Sequence, residues 1–303
     1  MTELTASDFP ALCSDPAVQE RINSFETERS EAARKFWTRG AIGTALAIGA
    51  VVTLTMSGWD VAAWIVFALF LVGAIWGALS PLLAAKEAMK NPVLEAVAKR
   101  AGMEYLPNGF EPPVFGSAYR LLFGSGFSSA TYTDLFNGAD EEGRGFAFYE
   151  ANLQRRSGKN THTVFSGQIY AIQRRPGHSG HTVIVPDRKI FNFWKPASDM
   201  VRVKIPGDDA FERRFEVYST AEMEARQLLF DTALRQRLLE LRKGGRVYVY
   251  LDPEEALVAV SGKDRFEPGN MLRRVPGTER VRTMFEDVCA ALGLLRELKA
   301  KLS

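Results

Sequence analysis

The residues best suited to acid–base or metal chemistry at neutral pH are scarce in this chain, with three histidines and two cysteines. His178 and His181 form an H-x-x-H within a Gly- and Ser-rich turn, with Asp187 downstream. Two imidazoles at that spacing are half of a zinc site, which takes three or four ligands. His162 joins them only if a hairpin folds it alongside the turn. Cys13 and Cys289 stand near opposite ends of the chain, so neither completes the set. The same spacing fits a solvated loop between strands. The H-x-x-H therefore stands as an alternative, a membrane-bound metal-dependent hydrolase.

The densest run of ionisable groups is FERRFEVYSTAEMEAR, Phe211 to Arg226. Phe211, Arg213, Phe215, Val217 and Ser219 alternate with Glu212, Arg214, Glu216 and Tyr218, the period of a half-buried strand. Ser219-Thr220-Ala221-Glu222 then fits a capping box opening a helix that runs to about Lys243, where Gly244-Gly245 stops it. Glu222 and Arg226 are spaced for a surface ion pair. Pairing and capping account for these charges, so no catalytic residue is named here. Gly124-Ser125-Gly126 is not followed by G-K-[ST], and neither G-x-S-x-G nor H-E-x-x-H occurs. The expectation is no catalytic constellation and no cofactor.

Basic residues cluster as Arg155-Arg156 with Lys159, Arg174-Arg175, Arg242-Lys243 with Arg246, and Arg273-Arg274, all near expected element ends. A cation close to an anionic leaflet gains about 1 kcal/mol. Arg155, Arg156, Lys159, Arg174 and Arg175 are accordingly read as membrane-surface contacts to anionic lipid headgroups. A solvated surface of mixed charge is the competing reading. The net charge of +2 argues against a dedicated nucleic-acid binder.

The elements that would position these groups begin with two charge-free runs, Gly40 to Trp59 and Val61 to Ala85. A bilayer core of about 30 Å takes roughly 20 helical residues. The two runs are parted only by Asp60, so they read as a transmembrane helical hairpin turning at Gly58. Trp37 and Trp59 mark the ends of the first span. Gly40, Gly43, Ala47 and Ala50, and then Gly73, Ala74, Gly77 and Ala78, offer small surfaces for close helix packing. Pro81 is placed to kink or end the second span. Arg29, Arg34, Lys35 and Arg39 precede the spans, Lys86, Lys90, Lys99 and Arg100 follow, and the turn has no basic residue. The positive-inside rule then puts both termini in the cytoplasm. The late first span, followed at once by a second, argues against a cleaved signal peptide.

Four segments result: an N-terminal amphipathic helix at 1–39, two transmembrane helices at 40–85, a juxtamembrane helix and connector at 86–116, and a cytoplasmic α+β domain at 117–303. Asp15-Pro16 starts the first helix, with Val18, Ile22, Phe25, Ala32 and Phe36 on one face. Asn91-Pro92 repeats the start signal and Gly102 is placed as a stop. The spacing predicts strands at AYRLLF, ATYTDLF, RGFAFYEANLQ, HTVFSGQIYAIQ, HTVIVP, VRVKI, RVYVYLD and ALVAVSG, and an amphipathic helix from Thr278 to Leu302. Gaps too short for βαβ crossovers imply a mainly antiparallel β-sheet or partial barrel with packed helices.

The pattern F-x-x-x-F-x-V-Y-S before a helix bearing glutamate and arginine, with the paired spans, Tyr132-Thr133-Asp134 and FSGQIYAI around Gly167, resembles the bacterial family catalogued as domain of unknown function 3137. The resemblance runs from about Glu28 to Leu302. It implies a bacterial membrane-anchored protein and transfers no catalytic residues. The reading is a membrane-tethered cytoplasmic binding or scaffold module in the inner membrane. Its expected partners are the lipid bilayer and a further protein, with no nucleic acid. An oligomeric transport subunit is a second alternative.

Overall fold

Asp15 and Pro16 start the first long helix as their types dictate: the Asp15 carboxylate accepts from Ala17 N at 3.1 Å, and proline sits where no helical N–H is needed. The computed structural model describes residues 4–58, 60–112, 117–124, 127–175, 177, 179–187 and 196–302. Trp59, His178 and the end of the connector, 113–116, lie outside the described residues. The chain divides into two compact units. A helical unit comprises Leu4–Val97 and Phe266–Val288, and a sheet unit comprises Ala98–Arg265 and Cys289–Ser303.

In the helical unit, a short α1 (Phe9–Cys13) precedes α2 (Pro16–Met56) and α3 (Asp60–Ala101). Val18, Phe25 and Ala32 are buried, as the expected apolar face requires. Apolar residues continue the helical pattern without a break signal, so α2 carries straight from the amphipathic segment into the first charge-free run. It ends where Gly58 adopts φ +76°. The close approach of α2 and α3 uses small residues: a Cβ on Gly43 would lie 2.2 Å from that of Ala74, and Arg39 donates to Gly77 O at 3.1 Å.

The proline signals in α3 are overruled. Neither Pro81 nor Pro92 ends the helix, and Asn91-Pro92 does not start a new one. An internal proline costs about 3 kcal/mol. Met89, Val93, Leu94 and Val97 are each fully buried, and burial of one such side chain is worth about 1.5–3 kcal/mol. Together they outweigh the penalty. The helix stops at Gly102, φ +71°, in a Schellman closure: Gly102 N donates to Lys99 O at 3.1 Å and Met103 N to Ala98 O at 2.9 Å.

The sheet unit holds a nine-stranded, fully antiparallel open sheet. Its strands are β1 (Glu104–Leu106), β2 (Ser129–Ala139), β3 (Gly145–Ser157), β4 (Asn160–Gln173), β5 (Thr182–Pro186), β6 (Val201–Val203), β7 (Phe215–Ser219), β8 (Val247–Leu251) and β9 (Glu255–Ser261). Their order is β1-β2-β3-β4-β9-β8-β5-β7-β6, so the edges stay apart and the partial-barrel form is not adopted. The α+β class stands.

AYRLLF is a helix, α4 (Ser117–Phe123), instead of a strand. Its buried residues are Ala118, Tyr119, Leu122 and Phe123, a helical spacing without alternation. They pack with Tyr149, Leu153, Phe165 and Tyr248 in the core on one sheet face. The strand expected from Phe211 begins only at Phe215, because Phe211 lies in a one-turn helix, α5 (Asp209–Glu212). All five β7 residues are buried, including Glu216 and Tyr218, since β5 and β6 flank the strand on both sides. The capping box does not form: Ser219 Oγ accepts from Ala221 N at 3.0 Å, and α6 (Glu222–Phe230) starts without a side-chain cap. Glu222 and Arg226 do pair, at 2.8 Å. Asp231 interrupts the expected long helix by capping a new one, α7 (Thr232–Gly244), through Ala233 N at 2.8 Å.

The last helix, α8 (Gly277–Leu302), belongs to the sheet unit from residue 289 onward. There Glu297 meets Arg237 at 2.5 Å, and Lys299 pairs with Asp140. Asp140 also accepts from Arg144 Nη2 at 3.0 Å. The Lys299 ammonium, with Arg144, holds the Asp140 carboxyl well below the usual carboxylate range. A depressed carboxylate contributes stability above its unfolded pKa of about 3.9 and loses it as pH falls toward the folded value. Asp140→Asn should therefore lower the thermal midpoint at pH 7. Its deficit relative to wild type should shrink as pH drops below about 4.

Candidate functional site

Pairing of Thr182 with both Ser219 and Leu251 brings His181 beside Thr220 and Asp252 at one end of the sheet. His181 N donates to Thr220 Oγ1 at 2.9 Å, and its Nδ1 lies 3.1 Å from the Tyr250 hydroxyl. That phenol donates its single proton to Asp252 Oδ2 at 3.1 Å, so its oxygen accepts from His181. The arrangement orients the ring, with Nδ1 as the donor to the phenol oxygen. Asp252 is itself held by the N–H groups of Glu254 and Glu255 at 2.8 and 2.6 Å. Nearby, Ser179 donates its hydroxyl to Glu224 at 2.5 Å.

His181 is thus an oriented, exposed imidazole able to offer one ligand or accept one hydrogen bond. His178 lies outside the described residues. His162 does not reach the turn: it opens β4, paired with Arg155, whereas the far end of β4, Gln173, pairs with Glu255 near Asp252. Among the described residues no group of three His, Cys, Asp or Glu side chains gathers as metal ligands.

The five basic residues expected as membrane-surface contacts lie in two places. Arg155, Arg156 and Lys159 belong to the β3–β4 hairpin, while Arg174 and Arg175 follow the other end of β4. The strand has 14 residues, so these groups stand roughly 45 Å apart. Arg155 donates to Phe123 O at 2.8 Å and lies over the Phe127 ring. Arg156 and Lys159 are exposed, and Arg175 pairs with Glu142 at 2.8 Å. Arg174 is buried, donating from Nε to Leu302 O at 2.8 Å and from Nη1 to Asp252 O at 2.5 Å. Burial pulls its pKa down, opposed by Asp252 and Glu224.

A different basic group comes together between α5 and α7. Asp208 caps α5 through Phe211 N at 3.0 Å and pairs with Arg235 of α7 at 2.7 Å, holding the two elements side by side. The Arg235 guanidinium depresses the Asp208 carboxyl, so this tie is ionic at neutral pH. A cleft of about 740 Å³ results, lined by Arg213, Arg214, Arg242 and Lys243 with Gln236, Leu239 and Glu240. Arg242-Lys243 is one of the basic clusters of the sequence, whereas strand alternation would put Arg213 and Arg214 on opposite faces. The one-turn helix α5 puts both on the cleft wall. The missed signal is Asp208-Asp209, an acidic helix start four residues before the arginines.

Residues 163–300 match the model of the family described as Protein of unknown function (DUF3137). No curated protein sequence matches the chain. Among solved structures the chain is similar to that of the mycobacterial trehalose monomycolate transport factor A. The identity is 14% and the TM-score 0.35, over 64% of this chain and 92% of that one. A likeness at that level carries no argument for fold or function.

Proposed function

We propose, for a chain whose residues 163–300 match the DUF3137 family model, a membrane-tethered binding or scaffold module, held by α2 and α3 in a bacterial inner membrane with the sheet unit in the cytoplasm. One observation carries the tether: the helix pair is built with small side chains inside and large ones outside. Ala47, Ala63 and Ala78 are buried, while Ile42, Leu46, Val61, Trp64, Leu69 and Trp76 are each more than half exposed. A helix pair in water does the reverse, because each large apolar side chain left out forgoes about 1.5–3 kcal/mol. Hydrocarbon covers such a collar without penalty, and small residues let the two backbones approach.

Basic residues flank both outer ends of the pair and none occupies the turn, which supports cytoplasmic termini. A reporter enzyme active only outside the cytoplasm is expected to be active when inserted after Gly58 and silent when fused after Ser303. The reverse pattern would overturn the orientation, and a reporter recovered in the soluble fraction would overturn the tether. Among the described residues, the metal-dependent hydrolase alternative rests on His181 alone.

A further inference from the structure

We propose that the cleft between α5 and α7 binds a phosphate-bearing ligand through Arg213, Arg214, Arg242 and Lys243. The proposal rests on the binding-module reading and names the ligand class for it. Four cations line the cleft, and among the described residues none of them makes an ion pair. The single acid on the wall, Glu240, is taken by Arg237 at 3.2 Å. Gln236, Leu239, Glu240 and Lys243 share one face of α7, so the helix presents them together.

Cations in a helix's last turn complement its negative end, which is an ordinary job for Arg242 and Lys243. That explanation does not extend to Arg213 and Arg214, which approach from the other wall. Nor does it cover the Arg242 guanidinium in full: one Nη donates to Gly245 O at 3.2 Å, but its Nε is buried with no acceptor. A buried charged donor without a partner is costly. Guanidinium forks match phosphate oxygens in pairs, and a dianion relieves the mutual repulsion of the four cations. The volume suits a phosphate with its attached group. That phosphate can come from a lipid headgroup or from a soluble phosphoester.

The test titrates pyrophosphate into the detergent-solubilised full chain by calorimetry. Wild type is expected to bind. Arg213→Glu with Arg214→Glu, and the milder Arg213→Gln with Arg214→Gln, should weaken binding by at least about tenfold, since each pair removes charge-assisted bonds to the phosphate oxygens. Lys204→Glu with Lys263→Glu, an equal charge change on exposed residues outside the cleft, should leave affinity within about twofold. No heat in wild type, or equal weakening by the control pair, would overturn the proposal. Repeating the titration in phosphatidylcholine nanodiscs, with and without phosphatidylglycerol, separates the sources. Suppression by the anionic lipid assigns the site to a headgroup, and unchanged affinity assigns it to a soluble phosphoester. The detergent titration needs no bilayer, so its failure leaves the topology result standing, and the converse holds too.

Discussion

Replacing Gly167 with valine is expected to lower the unfolding midpoint of the sheet unit sharply or to remove its cooperative transition. Gly167 lies inside β4, with Ala151 of β3 on one side and Ser261 of β9 on the other. Its φ of +151° is one that L-residues rarely adopt, and a Cβ there would meet Val260 O at 2.2 Å and Ser261 Cα at 2.7 Å. Both obstacles are backbone, so no side chain can swing aside. Strain at such a φ costs about 1–3 kcal/mol, and overpacking adds about 1–3 more before the branched side chain is counted. Domains are stable by only about 5–15 kcal/mol. Circular dichroism of the purified full chain on heating should show a midpoint lowered by more than about 10 °C, or no transition. Gly167→Ala should move it in the same direction. Gly262→Ala, where a Cβ meets nothing within 4 Å, should leave it nearly unchanged. An unaltered midpoint for the valine variant would mean that β9 can yield.

Arg280→Ala should have the next largest effect, and a local one. Arg280 is 2% exposed, and its guanidinium serves a segment without regular structure. It donates to Pro268 O at 2.5 Å, Asn270 O at 3.0 Å and Arg273 O at 2.7 Å, while its plane covers the Phe25 ring at 5.1 Å. Burial, and then the Arg29 cation, pull its pKa down from the usual arginine value. Truncation strands these carbonyls and removes a longer contact from Nε to Val275 O at 3.4 Å, each with a penalty of about 1–3 kcal/mol when buried, so a loss of about 3–5 kcal/mol is expected. Limited proteolysis should then cut between Pro268 and Val275 well below the temperature of global unfolding. Arg280→Lys should rescue little, because one ammonium cannot reach three carbonyls set around a planar fork. Full rescue by lysine would reduce the role to charge alone.

What sequence reading reached, it reached where the signal is local. β3, β4, β8 and β9 are long enough for their β-branched and aromatic content to stand out between turn residues. The caps at Asp15 and Gly102 act through atoms a few residues away. AYRLLF failed because a short apolar run is compatible with helix or strand, and only the core of Tyr149, Leu153 and Tyr248 selects the helix. Pro92 misled because a local penalty of about 3 kcal/mol was offset by burial contributed from elsewhere in the fold. Arg213 and Arg214 misled because a one-turn helix, fixed by a contact from Asp208 to Arg235, interrupts the alternation that a strand would have kept.

The amino-acid sequence by itself determined the two apolar spans, their basic flanks and the antiparallel α+β character. Hydropathy, charge and residue period are properties a segment carries without any partner. Only the tertiary structure decided where the arginines put their charge. Arg174 and Arg175 are neighbours in the chain, yet one is buried and the other reaches Glu142 in solvent. The difference depends on Leu302, 128 residues onward, whose carbonyl arrives to receive the Arg174 guanidinium. No local rule carries that information, because the partner is chosen by the packing of the whole sheet unit.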